Sequence, residues 1–336
     1  MPESQKPFAA KTLSAVLVAL AITALIVAFA MWRPWQTRVS PLTVGIATWP
    51  GFGPGFIAQK EGFFDGLDVQ FAILDDFNAR RAAFTSGQTQ ATVYTLDSLA
   101  LEAPQGVPGE AVLILDESAG ADAILARPEI TKADDLIGKK VAYTRGSPSH
   151  FLLLYYLKQH KLSSQQIDMI GVDDPGRAGE ALAGGSVDAA VTWEPNVTQL
   201  INAKKGHVLL STKETPGLIV DILVVSPELL RDRPDDVRKL VAGWLKAIDF
   251  IKQHPDQSNA IMARELKIPL QEFPGMVSGL HFADAARNRE LLVDNGGAAA
   301  IDTFDRAAAV WIEAGLNASA ARGRDRVTGA YLPAAP

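Results

Sequence analysis

Between Leu42 and Ser226, short apolar runs alternate with segments whose apolar residues recur every three or four positions. Leu42–Ala47 predicts a buried strand, and the Gly/Pro-rich stretch Thr48–Gly55 predicts a turn into a helix reaching about Glu61. Strands are predicted next at Leu67–Leu74, Ala91–Thr95, Ala111–Leu115 and Ala121–Ala126, with a helix at about Asn78–Ser86. The order then recurs. Lys140–Thr144 reads as a strand, Arg145–Pro148 as a tight turn and Ser149–His160 as a helix. Strand Ile167–Val172, helix Pro175–Ala183 and strand Asp188–Trp193 follow. Ala83, Gly87, Ala91 and Val93 return 98 positions later as Ala181, Gly185, Ala189 and Val191.

Strands alternating with helices predict a parallel-rich sheet covered on both faces. Two such units in tandem predict a two-lobed α/β protein with three-layer lobes. After His207–Thr212 and a strand at Ile219–Ser226, the chain reads as mostly helical. Pro234–Gln253 carries Val237, Leu240, Val241, Trp244, Leu245 and Ile248 on one face, and Ala298–Ala314 is a second amphipathic helix. This last third is expected to pack on the first lobe. Lobe 1 is then residues 41–126 with 217–332, and lobe 2 is 127–216. The chain would cross near Ala126 and near Thr215–Gly217, and two crossings make a hinge.

Residues 1–36 read as a short stub followed by a membrane anchor or signal segment. Leu13–Met31 is uncharged and long enough, as a helix, to span a bilayer core. Lys6 and Lys11 precede it, and Trp32, Arg33 and Trp35 follow as interfacial anchors. Ala28-Phe29-Ala30 would also serve as a cleavage site. Either way, the chain from about Thr37 is expected outside the cytoplasm, at the periplasmic face of the inner membrane or released after cleavage near Ala30.

The absence of cysteine removes disulfides, thiolate metal sites and a lipid-modified cysteine. Five scattered histidines give no metal-ligand spacing, so no metal or cofactor is expected. The formal charge of −6, with both signs interspersed, argues against a nucleic-acid partner.

Four segments carry a family resemblance. They are Trp49-Pro50-Gly51 before Phe56–Phe64 with Leu67-Asp68-Val69, then Asp134–Ala142, then Gly185–Val191, then Trp193-Glu194-Pro195. In this order the chain resembles the nitrate/taurine/aliphatic-sulfonate class of ABC-importer binding proteins, over about Leu42 to Asp305. The resemblance implies the type II periplasmic binding-protein fold, a ligand between the lobes, and permease and ATPase partners. One relative of the class makes the thiamine pyrimidine and carries a cysteine-rich iron motif, which a chain without cysteine does not share.

In open α/β sheets, ligands bind beyond the carboxyl ends of strands. Trp49 and Trp193 stand at such ends, as stacking walls or as core caps, and Tyr94 is close by. Ser147, Ser149 and His150 open a helix whose first amides would meet an anion or a carbonyl oxygen. Asp97, Asp116, Asp122, Glu194 and Asp221 are the acidic candidates; Asp221 sits inside an apolar run, where a buried carboxylate needs partners. The acids suit a ligand with donors or positive charge at one end. A zwitterion such as an aminosulfonate would use both features, and an amine, amide or guanidine-like compound the acids alone. Nitrate fits less well, because Arg145 is the nearest basic residue to a strand end. The expected function is capture and delivery of a small polar solute by a monomer, not catalysis. A ligand sensor signalling to a membrane partner and an enzyme on the same scaffold are the alternatives.

Overall fold

The computed structural model describes residues 21–24 and 40–334 and divides the chain into two units, residues 1–40 and 41–336. Within the first unit, residues 21–24 are helical; the rest of the expected anchor or signal, Leu13–Met31, lies outside the described residues. Among the described residues no helix is long and apolar enough to cross a membrane.

The second unit begins with β1 (Leu42–Ile46), α1 (Pro54–Lys60), β2 (Val69–Ile73), α2 (Phe77–Thr85), β3 (Ala91–Thr95), α3 (Leu96–Glu102) and β4 (Glu110–Ser118). Next come β5 (Asp122–Ala126), β6 (Lys140–Thr144), α4 (Pro148–Gln159), β7 (Asp168–Val172), α5 (Pro175–Ala183), β8 (Ala189–Trp193), α6 (Asn196–Asn202) and β9 (His207–Ser211). The chain ends with β10 (Val220–Val225), α7 (Pro227–Asp232), α8 (Pro234–Gln253), α9 (Pro255–Glu265), α10 (Phe273–Val277), β11 (Leu280–Phe282), α11 (Ala285–Leu292) and α12 (Ala298–Glu313).

These strands form two sheets, ordered β11-β4-β10-β3-β1-β2 and β7-β6-β8-β5-β9. In each, three parallel strands are joined through helices, and one antiparallel strand lies beside the third: β10 against β3, β5 against β8. The 98-residue repeat is visible in the ladders. Val44 pairs with Ala91 in the first sheet, and Ala142 pairs with Ala190 in the second. β3 and β8 begin and end 98 positions apart, as do β1 and β6.

Both faces of both sheets are covered, so the central strands are apolar throughout rather than alternating. Alternate residues feed different cores. Val93, Leu223 and Val225 point into a cluster with Trp244 of α8. Tyr94, Ile222 and Val224 point into another with Trp311 and Phe304 of α12. Ile124 and Val191 face a third cluster, Ala123 and Ala190 a fourth. Trp244 and Trp311 are fully buried. Their packing holds α8 and α12 on opposite faces of the first sheet.

One expectation needs correction. The sequence pattern places Ala121–Ala126 in lobe 1, with a crossing near Ala126. The strand instead pairs with β8 and β9 in the second sheet, so the chain crosses through Ala119–Ala121. A short run that is apolar but for Asp122 is buried equally well in either sheet, and its β8 partner lies about 70 residues downstream. The return passage runs through residues 212–219. The C-terminal third is mostly helical and adds one short strand, β11, whose Leu280 and Phe282 pair with Ser118 and Asp116 at the sheet edge. Three residues are too few to show a strand period.

Candidate functional site

The parallel strands of both sheets aim their carboxyl ends at one cleft, and the antiparallel strands β5 and β10 present their first residues there. A small cavity, with about 40 Å³ open to the centre of a water-sized sphere, lies between them. Its first-sheet wall includes Ala47, Trp49, Phe52, Phe77, Arg80, Tyr94, Thr95 and Asp221; Asp122, Pro148 and Trp193 come from the second sheet. Trp49 and Trp193 are both nearly buried and belong to one apolar cluster.

Of the residues expected at the site, Trp49, Tyr94, Asp122, Trp193 and Asp221 line the cavity. Trp49 is placed by the turn Pro50–Phe52 and donates from Nε1 to Asp116, at 3.2 and 3.4 Å from its two oxygens. The turn must stay close. A Cβ on Gly51 would come within 2.0 Å of Asp116 Oδ2 and 2.4 Å of Trp49 Nε1. Asp116 is thus behind the indole rather than on the cavity surface, and its carboxyl lies within hydrogen-bonding reach of Asp221.

Five further candidates do not line the cavity. Asp97 is buried in the first turn of α3, and neither of its oxygens has a well-aligned hydrogen-bond partner. Ser147 caps α4: it accepts from the Ser149 amide at 3.1 Å and donates to Thr144 O at 2.8 Å, so the amide expected to meet an anion is already used. The Ser149 hydroxyl is buried without a partner. His150 is packed between Tyr143, with ring centroids 4.5 Å apart, and Trp311, at 5.3 Å, and its Nδ1 accepts from the Gly146 amide. Glu194 turns back to its own helix, accepting from the Thr198 amide at 3.0 Å and hydroxyl at 2.7 Å. For Ser147, His150 and Glu194 a local backbone, side-chain or ring partner outcompetes the cleft.

The electrostatics are dominated by burial, which disfavours the charged form. It pushes Asp97, Asp116 and Asp122 up to about 7. Asp221 is raised well above the carboxylate range, first by burial and then by the neighbouring Asp116, Asp122 and Asp97. Burial also raises Glu194, and it lowers His150 to about 4, with Arg145 adding to the effect. Among the described residues no group of three or more acidic or histidine side chains is arranged to hold a metal ion.

Arg80 is the residue that sequence reasoning missed. It is 6% exposed, lines the cavity, donates to Leu74 O at 2.6 Å and lies over the Phe77 ring at 5.2 Å. The signal was present: Phe77, Arg80 and Phe84 share the buried face of α2 at helical spacing. Arg145, the basic residue singled out from sequence, is exposed and does not line the cavity.

The two sides of the cleft touch. The rings of Phe151 and Trp311 lie 5.4 Å apart, Lys158 pairs with Glu313, and Asn202 donates to Glu272 at 3.1 Å.

The family profile described as NMT1/THI5 like matches residues 49–258, most of the two-sheet unit. The chain belongs to the NMT1/THI5-like family. Among relatives, the taurine-binding periplasmic protein of Escherichia coli strain K12 is 26% identical over 281 residues, covering 80% of this chain and 86% of that protein. This NMT1/THI5-like chain also shares its fold with solved structures of low sequence identity. The periplasmic aliphatic sulphonate binding protein SsuA from Escherichia coli superposes with a TM-score of 0.70 at 17% identity, covering 85% of this chain and 97% of that one. The periplasmic nitrate-binding protein NrtA from Synechocystis PCC 6803 gives 0.60 at 15%, covering 85% and 94%. The family resemblance carried by Trp49-Pro50-Gly51 and Trp193-Glu194-Pro195 is borne out.

Proposed function

We propose that this chain is the extracytoplasmic solute-binding component of an ABC importer. It captures a small polar, nitrogen- or sulfonate-containing compound between two lobes and delivers it to a membrane permease driven by an ATPase. One observation carries the reading: a largely apolar cavity with a few buried polar groups, walled by strand ends of two sheets that two chain passages, 119–121 and 212–219, connect among the described residues. Such passages permit hinge closure, and a ligand that touches both sides stabilises the closed state. The relatives, a taurine-binding, a sulphonate-binding and a nitrate-binding protein, point the same way.

Two features of the cavity wall support a binding role rather than catalysis. Its one serine, Ser98, is tied to Thr95 in a capping box, and His150 is packed away from the cavity. A serine–histidine pair at the cleft would need both. The N-terminal segment Leu13–Met31 serves as anchor or signal, which keeps the lobes at the outer face of the membrane; as an anchor it would also raise their concentration at the permease. Mass spectrometry of the native protein distinguishes the two, since a mature mass lacking about 30 residues means cleavage.

Trp49 and Trp193 report directly on occupancy. Titrating the full chain with taurine, alkanesulfonates, alkylamines and ureas should give a saturable change in tryptophan fluorescence for one class. Turnover of any of these compounds would contradict the binding role.

A further inference from the structure

Asp122 and Asp221 hold equivalent places in the two sheets. Asp221, the second residue of β10, is directly opposite Thr95, the last residue of β3. Asp122, the first residue of β5, is directly opposite Trp193, the last residue of β8. Thr95 and Trp193 are themselves 98 positions apart, so each side of the cleft contributes one carboxylate from the same point of the same ladder. Both line the cavity.

We propose that the solute is a compact organic cation, held between Asp122 and Asp221, and that it is the counter-ion that allows the two sides to close. The proposal rests on the solute-binding reading and names its substrate class. It differs from the anionic groups in the relatives' names.

Charge balance argues first. Asp97, Asp116, Asp122 and Asp221 are each 5% exposed or less. Among the described residues none of them forms a salt bridge. Arg80 is the one basic side chain on the cavity wall, and it also faces Asp75 and Asp76. Closure therefore buries more negative than positive charge, which costs free energy unless a cation or protons enter.

The walls argue second. Trp49, Phe52, Phe77, Tyr94 and Trp193 surround the acids, the surroundings in which an organic cation gains cation–π attraction. The buried Tyr94 hydroxyl has no partner. Two of the amides an anion would use are taken: that of Ser98 by the Thr95 hydroxyl and that of Ser149 by the Ser147 hydroxyl. The acids are not arranged for a metal ion.

Without the cation, protons fill its role. Besides each other, the groups facing Asp122 and Asp221 are Asp97 from α3, Asp116 from β4, Glu194 after β8, and Arg80 from α2. Most are acids. An entering cation lowers the carboxyl pKa values, so binding releases a proton and affinity rises with pH through about 7.

The test is isothermal calorimetry on the full chain at pH 7 in two buffers of different ionisation enthalpy. Guanidinium and methylammonium chlorides are compared with taurine, sodium ethanesulfonate and sodium nitrate at equal ionic strength. The expected result is saturable binding of a cation at least tenfold tighter than any of the other three, with proton release. Asp122→Asn and Asp221→Asn should each weaken it by tenfold or more while still unfolding cooperatively. Binding of ethanesulfonate, nitrate or taurine in preference to the cations overturns the substrate class and leaves the solute-binding reading standing. Unchanged cation affinity in both variants, or no cation binding at all, also overturns it.

Discussion

Asp116 and Asp221 are direct partners across the β4–β10 ladder, their carboxyls near enough to share a proton beneath the Trp49 indole. Two buried carboxylates at this distance do not both ionise near neutrality. Asp116 is raised from its ordinary value to about 7, so between about 4 and 7 the folded chain holds a proton that the unfolded chain has lost. That difference lowers stability as pH rises, and the full cost is present above about 7. Asp116→Asn removes the titration and keeps an acceptor for Trp49. It should stabilise the ligand-free protein by on the order of 1–3 kcal/mol at pH 8 and by far less at pH 4. Urea unfolding at the two pH values checks this; an equal effect at both would contradict it.

Gly51→Ala places a methyl group within 2.0 Å of Asp116 Oδ2 and separates the carboxyl from Trp49. Overpacking of this kind costs about 1–3 kcal/mol. Gly275, with open space around it and no positive φ, is the control, and Gly275→Ala should change stability by less than about 0.5 kcal/mol. Thermal unfolding compares the two. Equal effects would mean that the Trp49 turn is not packed as described.

Trp311 joins the two sides of the cleft from behind. Its Nε1 donates to Asp97 O at 2.8 Å while its ring shields His150. Trp311→Ala should cost about 3–5 kcal/mol and let water reach the imidazole. His150, held near 4 by burial, should then titrate closer to its ordinary 6.5. Because a lowered histidine pKa removes stability as pH falls from about 6.5 toward 4, the parent should lose more stability over that window than the variant. NMR titration of His150 gives the direct reading.

The parallel strands were legible because their apolar runs are bounded by glycines and repeat at a fixed offset. Asp221 was legible because a charge between Val220 and Ile222 has no apolar reason to be there. What pairs with it was not: Asp116 is about a hundred residues earlier, and register across a sheet leaves no local trace. Arg80 was overlooked because an arginine in a short helix reads as solvent-facing, although its spacing from Phe77 and Phe84 places it inside. Glu194, Ser147 and His150 stand at the right strand ends, yet their side chains serve helix starts and ring packing. Sequence gives position along a strand more readily than the direction a side chain takes at its end.

The central claim is that a solute draws together two sides connected by two chain passages. Because the chain has no cysteine, spin labels can be attached at Lys205→Cys and Gln271→Cys, exposed positions close to the Asn202–Glu272 contact. Double electron–electron resonance on the full chain should show a broad distance distribution without solute. Saturating solute, identified by calorimetry, should narrow it and shift it to shorter distances. An identical distribution with and without bound solute would contradict the account.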